Sequence, residues 1–203
     1  YEEYGDAFVE RCNGMFALCI YDTIRRRLYL ARDRLGKKPL FYCQTADKFI
    51  FGSEIKALLV NGDVPRRVNR NAMVDFLTFG FVATPATAFD GIYQLKPAHY
   101  LVVDVGGEIQ QHSYWSLDQK RVIHRTLQDA EAEYLELLSS SVQDRLIADV
   151  PIGLLLSGGI DSSSILAMMS RINADIPTFT IRFDDPAKDE GPIARAMAEH
   201  VGS

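Results

Sequence analysis

The sequence is poor in the residues that build staples and metal cages. It holds three cysteines, Cys12, Cys19 and Cys43. An odd set without metal-like spacing argues against a disulfide framework or a zinc cluster. Cys12 and Cys19 flank an apolar run and read as buried free thiols, which fits a cytoplasmic home. The histidines His99, His112, His124 and His200 show no ligand spacing and read as surface or core residues. Basic residues are not in excess: 22 Lys and Arg stand against 27 Asp and Glu, and a net charge of −5 argues against nonspecific nucleic-acid binding. No apolar run approaches membrane-spanning length, no signal peptide is visible, and no repeat or low-complexity segment stands out. No Gly-Lys-Ser/Thr follows a four-residue spacer, which excludes a Walker A loop. The remaining balance, 47% hydrophobic and 24% charged, is that of a soluble globular protein with room for one large domain or two small ones.

The first 115 residues read as mostly β. Gly14 to Tyr21 is an apolar run of strand length, and Leu28 to Ala31 answers it across a turn carrying Arg25, Arg26 and Arg27. That arginine run reads as a solvated turn, with a phosphate patch as the alternative. Ala31 to Tyr42 is a polar loop punctuated by Gly36 and Pro39. Phe41–Gln44 and Phe49–Gly52 bracket a second hairpin. Ser53 is placed to cap a short helix from Glu54 to Val60. Asn69 to Phe79 reads as a helix with Met73, Phe76 and Leu77 on one face, and Pro85 to Gly91 as loop. Tyr100 to Tyr114 is a hairpin turning at Gly106-Gly107, and Trp115 reads as a core or interdomain plug. A polar linker is expected over 116–126, then a long amphipathic helix from Leu127 to Ile147 with Leu135, Leu138, Val142, Leu146 and Ile147 near helical spacing.

The most informative stretch runs from Leu154 to Ser163. An apolar run ends at Leu156, two glycines and several hydroxyls follow, and Ile165 to Met169 resumes with apolar residues. This predicts a buried parallel strand, a tight turn and an amphipathic helix. Small residues let a ligand approach the backbone, and a helix N-terminus offers free amides and a partial positive charge worth about 0.3–1 kcal/mol to an anion. Ser157, Ser162 and Ser163 can add donors, giving a phosphate cradle. Asp161 is acidic where a Walker loop would be basic, which makes sense if a divalent cation bridges it to phosphate. The competing reading is a plain glycine turn with a serine helix cap. A second strand, Pro177 to Phe183, and a helix from Asp189 to Val201 complete a strand–helix–strand–helix unit. Ligands of such units bind at the carboxyl ends of the strands, near Ile181, whose backbone could meet an adenine edge or whose side chain is simply core. The chain opens on Tyr1 and stops just after a helix-like run, so a piece of a longer protein is expected.

Ser157-Gly158-Gly159-Ile160-Asp161-Ser162-Ser163 resembles the pyrophosphate loop (PP-loop) of ATP-pyrophosphatases, which cleave ATP to AMP and pyrophosphate. Asn13 to Ala17, Ala31 to Leu40 and Phe51 to Leu58 resemble the later half of a class II glutamine amidotransferase domain. Leu95 to Tyr100 and Tyr114-Trp115 resemble that domain's end in glutamine-hydrolysing asparagine synthetases, and Leu155 to Ser163, Phe179 to Phe183 and Asp189-Glu190 the start of their synthetase domain. The resemblance implies α+β and α/β parts. Residues 1–115 would be a partial, β-rich glutaminase domain of the N-terminal-nucleophile-hydrolase type, and 127–203 the start of a parallel-sheet PP-loop adenine-nucleotide domain.

The resemblance further implies asparagine synthesis from aspartate, ATP and glutamine-derived ammonia through a β-aspartyl-AMP. Leu155, Ser157, Gly158, Gly159, Asp161, Ser162, Ser163 and Ile181 would bind ATP and its pyrophosphate, with Asp161 a magnesium ligand. Asp189 and Glu190 match positions near the nucleotide, or form a salt-bridged helix start. The family's nucleophile is a mature N-terminal Cys, which this chain lacks. Cys12, in the strand segment before Gly14, is no substitute. The segment alone is therefore expected neither to hydrolyse glutamine nor to make asparagine. The implied partners are small molecules, neither nucleic acid nor membrane, with a homodimer left open. Two alternatives stand: an amidotransferase or β-lactam-synthetase-like enzyme acting on another carboxylate, and a degenerate nucleotide-binding module.

Overall fold

The computed structural model describes residues 1–118, 125–172 and 176–203. The chain divides into two compact units, 1–120 and 121–203. Part of the expected linker, 119–124, lies outside the described residues, as does His124. Among the described residues, no helix is long and apolar enough to cross a membrane.

The first unit is built on antiparallel strands. A 3-10 helix, Gly5–Arg11, precedes β1 (Ala17–Asp22) and β2 (Arg27–Arg32). With β6 (His99–Val103) and β7 (Ile109–Ser113) these form a sheet ordered β1-β2-β6-β7. The arginine run is the β1–β2 turn: the Asp22 carboxylate accepts from the Ile24 and Arg25 amides at 3.1 and 2.8 Å, and Arg26 takes the left-handed conformation at φ 50°. Strand β2 is covered on both faces, which is why its sequence does not alternate. Tyr29 and Ala31 pack with Val9 and Val102 on one side, and Leu30 with Leu40, Leu95 and Leu101 on the other. Each fully buried Leu or Val contributes about 1.5–3 kcal/mol.

A second sheet, ordered β4-β3-β5, comprises β3 (Phe41–Gln44), β4 (Phe49–Gly52) and β5 (Ile92–Gln94). Its Cys43 and Ile92 pack with Leu58 of α1 (Ile55–Leu59) and with Val64. The loop joining β2 to β3 is a polar knot. The Asp33 carboxylate accepts from the amides of Leu35, Lys37 and Lys38 at 3.2, 2.9 and 2.9 Å. Arg32 donates to the carbonyls of Lys38, Leu95 and Gly36 at 2.7, 2.6 and 2.6 Å. Burial alone would push the Asp33 carboxyl up, but the amides hold it below the usual carboxylate range. Gly36 sits at φ +64°, and a Cβ there would meet Pro97 Cγ at 2.8 Å.

Four expectations fail in this unit, in whole or in part, and one helix is found with its apolar face exposed. Ser53 does not cap α1; Glu54 holds the N-cap position in extended backbone, without a side-chain cap bond. Helix α2 (Arg70–Phe79) is capped by Asn69, whose side chain accepts from the Ala72 amide at 3.2 Å, but Phe76 and Leu77 are exposed and form no core face. Cys19 is exposed because β1 is an edge strand, so only Cys43 is a buried thiol and Cys12 is half-buried. Cys12 ends the 3-10 helix instead of lying in a strand. Trp115 is half-buried, with the Arg34 guanidinium 5.9 Å from its ring centroid, and belongs to none of the buried clusters among the described residues, so its core reading does not hold.

The second unit holds α3 (Leu127–Gln143), β8 (Leu154–Leu155), α4 (Ile160–Ile172), β9 (Thr178–Phe179) and α5 (Gly191–Val201). Strands β8 and β9 pair in parallel, Leu154 with Thr178 and Leu155 with Phe179. The expectation of antiparallel α+β structure followed by a parallel α/β unit holds. Leu156 packs with Leu166 of α4 and Ala194 of α5, while Val142 of α3 packs with Met168, Met169 and Ile176. Helix α3 stops at Gln143, four residues early, and Ile147 is exposed. The strands are also shorter than expected. Within this chain the helices cover the face of Leu154 and Leu156 and leave the other face uncovered, with Leu155 77% exposed.

Candidate functional site

The candidate site is the loop from β8 to α4. Two bonds to the exit of β9 fix where it starts. The Leu156 amide donates to the Phe179 carbonyl at 2.8 Å, and Thr180 Oγ1 donates to the Leu156 carbonyl at 2.9 Å. Thr180 is an anchor that the sequence reading did not single out.

Within the loop, side chains take up the backbone amides. Ser162 Oγ accepts from the Ser157 amide at 3.2 Å, and Ser157 Oγ accepts from the Gly159 amide at 3.2 Å. The two hydroxyls share a bond at 2.8 Å. The Gly158 amide donates to Glu190 Oε2 at 3.1 Å. The glycines fit a tight approach of neighbouring atoms, not a left-handed backbone. A Cβ on Gly158 would lie 3.3 Å from Ile193 Cβ and 3.4 Å from Glu190 Cβ, and one on Gly159 3.3 Å from Ser157 Oγ. Thus Ser157, Gly158 and Gly159 lie just ahead of the N-terminus of α4 and Ser162 and Ser163 in its first turn, where the first amides of a helix have no intrahelical partner.

Asp161 lies exposed in the first turn of α4. Among the described residues, no group of three or more His, Cys, Asp or Glu is arranged to hold a metal ion. Magnesium shared between one carboxylate and phosphate oxygens needs no larger protein cluster, so the donor set fits a cation that arrives with a polyphosphate.

Within this chain Leu155 and Ile181 are 77% and 73% exposed. By the period of two, they share the bare face with Phe179.

Asp189 and Glu190, adjacent in sequence, do different things. Arg182 grips Asp189 through Nε to Oδ1 at 2.7 Å and Nη2 to Oδ2 at 2.6 Å, and Asp189 Oδ1 accepts from the Gly191 amide at 3.1 Å. Arg182 is the main reason its carboxyl falls to about 2. Asp189 is therefore the salt-bridged helix start. Glu190 makes no cap bond to its own helix and turns to the loop instead. No sequence signal marks that contact, because 32 residues separate its partners.

In the first unit the thiols form no nucleophilic centre. Cys12 Sγ donates to the Phe8 carbonyl at 3.6 Å, and burial pushes the Cys43 thiol up.

Comparison with known proteins gives a consistent picture. The family model for the glutamine amidotransferase domain matches residues 1–115, and that for asparagine synthase matches residues 133–203. Asparagine synthetase [glutamine-hydrolyzing] 3 of Bacillus subtilis is 34% identical, over 100% of this chain and 35% of its own length. Putative asparagine synthetase [glutamine-hydrolyzing] 2 of Methanocaldococcus jannaschii is 31% identical, over 98% of this chain and 39% of its own length. Amidase chry2 of Gibberella zeae is 33% identical, over 100% of this chain and 32% of its own length. The chain thus spans between 32% and 39% of the length of these curated relatives.

Proposed function

The chain belongs to the glutamine-hydrolysing asparagine synthetase family, and on that premise we propose that the protein carrying it activates aspartate with ATP and amidates it with ammonia from glutamine. Residues 1–115 would be the later half of the glutaminase domain, and 127–203 the start of the synthetase domain, in a cytoplasmic enzyme.

The chemistry has two steps. A β-carboxylate oxygen of aspartate attacks the α-phosphorus of ATP, the bond to the bridging oxygen breaks, and pyrophosphate leaves. Ammonia then attacks the acyl carbon of β-aspartyl-AMP, AMP leaves with the electron pair, and a proton is released. This chain would serve the first step. The hydroxyls of Ser157, Ser162 and Ser163 and the loop amides of Gly158 and Gly159 would hold the leaving pyrophosphate where its charge grows. Asp161 would help hold magnesium, which when bound neutralises that charge. Leu155 and Ile181 would lie against the nucleotide on the bare face.

The observation that carries this reading is the hydroxyl-rich turn of 157–163 between a parallel strand and a helix, following a glutamine amidotransferase domain in sequence. The test is pyrophosphate release by the full-length protein. We expect release that requires both ATP and aspartate, and at least a roughly tenfold loss, about 1.4 kcal/mol, in Asp161→Ala. Unchanged release in that variant removes Asp161 from the magnesium site.

The amidase names of two fungal relatives at 33% and 31% identity favour one second reading, the same activation applied to another carboxylate. Pyrophosphate release that ignores aspartate but answers to a different carboxylic acid would select it.

A further inference from the structure

Resting on the pyrophosphate reading of the 157–163 loop, we propose that Glu190 is an internal competitor for the pyrophosphate: its carboxylate holds the Gly158 amide and must leave before the anion can take that donor. The argument starts from what accepts each amide. Ser157 and Gly159 give their N–H groups to hydroxyls. A hydroxyl rotates and can turn from acceptor to donor when a phosphate oxygen arrives. Gly158 gives its N–H to a carboxylate, which is acceptor-only when ionised and repels a phosphate.

Glu190 is free of the duties that would otherwise explain it. Its neighbour Asp189 takes the ion pair with Arg182 and accepts from the Gly191 amide, and Glu190 makes no cap bond to α5. The contact is built in, since the absent side chain of Gly158 lets the Glu190 and Ile193 Cβ atoms approach the loop. The carboxylate is exposed, so it can swing into solvent without breaking a buried contact. It satisfies the Gly158 amide and at the same time occupies a donor that the anion would use.

The experiment measures binding of inorganic pyrophosphate to the full-length protein by calorimetry, with chelator present so that no divalent cation intervenes. Glu190→Gln keeps the shape and removes the charge; Glu190→Ala removes both. We expect each to bind pyrophosphate about five- to tenfold more tightly than the parent, as relief of one like-charge contact at a partly exposed site would give. In a parallel hydrogen-exchange measurement, the peptide spanning 157–160 should exchange faster in Glu190→Ala, and pyrophosphate should restore its protection. Equal or weaker binding in both variants overturns the proposal and leaves the pyrophosphate reading standing, as does unchanged exchange in the empty loop. Absence of binding in the parent and both variants overturns the proposal, and its persistence when magnesium is supplied overturns the pyrophosphate reading as well. Binding by the variants alone supports both in the strongest form.

Discussion

Strands β2 and β8 look alike in sequence and live in different surroundings. Leu28 to Ala31 and Leu154 to Leu156 are both short, unbroken apolar runs. In the first unit the run is sealed, with Tyr29, Leu30 and Ala31 all at 0% exposure. In the second, Leu156 is buried while its neighbour Leu155 is 77% exposed. An unbroken run states that both faces of a strand are apolar. Whether both are covered depends on how many layers the fold supplies. The first unit supplies a 3-10 helix on one side of its sheet and Leu40 and Leu95 on the other. Within these 203 residues the second supplies helices on one side only.

The largest expected effect tests that contrast directly. Leu30→Ala should cost about 2–5 kcal/mol, because a packed site cannot fully collapse around the lost atoms. Leu155→Ala removes no buried contact made within these 203 residues, so in this chain it should stay within about 0.5 kcal/mol. Chemical denaturation of the two variants of this 203-residue chain decides it. A Leu155→Ala cost matching that of Leu30→Ala would break the comparison and place a structural cover over β8.

A smaller effect separates the glycines. Gly36→Ala adds a Cβ against Pro97 Cγ at 2.8 Å and forces a left-handed residue, so it should cost about 1–3 kcal/mol. Gly158→Ala keeps ordinary backbone and meets Ile193 Cβ at 3.3 Å, a contact that a small shift relieves, so it should cost about 1 kcal/mol. Reversed costs in a denaturant series would mean that the loop is the more rigid of the two.

Much of the fold was legible in the sequence, for local reasons. The hairpin of Phe41–Gln44 and Phe49–Gly52 sits where turn residues interrupt two apolar runs. The loop at Ser157 was legible because strand, glycines, hydroxyls and helix follow in order. What escaped needed knowledge of a neighbour. Helical spacing puts Phe76 and Leu77 on one face of α2 but does not say that anything covers it, and both are exposed. Cys19 borders an apolar run, yet β1 is an edge strand. Ser53 was a fair cap candidate by residue type, but the helix begins two residues later. Glu190 escaped because its partner is reached only through the packing of α5 on the loop.

The smallest expected effect compares two carboxylates held below their usual range by different means. Asp33 is buried and bound by backbone amides, while Asp189 is paired with Arg182, which is 60% exposed. For each, the folded value lies below the unfolded one, so the stability it contributes is present above the ordinary carboxylate value and lost as pH falls through the folded value, which for Asp189 is about 2. Acid should therefore weaken both units below about pH 4. Salt should distinguish them, since an exposed pair is screened and a buried amide cage is not. Raising salt, or making Arg182→Ala, should flatten the acid-dependent loss in the second unit and leave that of the first unchanged. The measurement is hydrogen exchange resolved by unit across that pH range. An unchanged slope around α5 in Arg182→Ala would show that the Gly191 amide, not the guanidinium, holds the Asp189 charge.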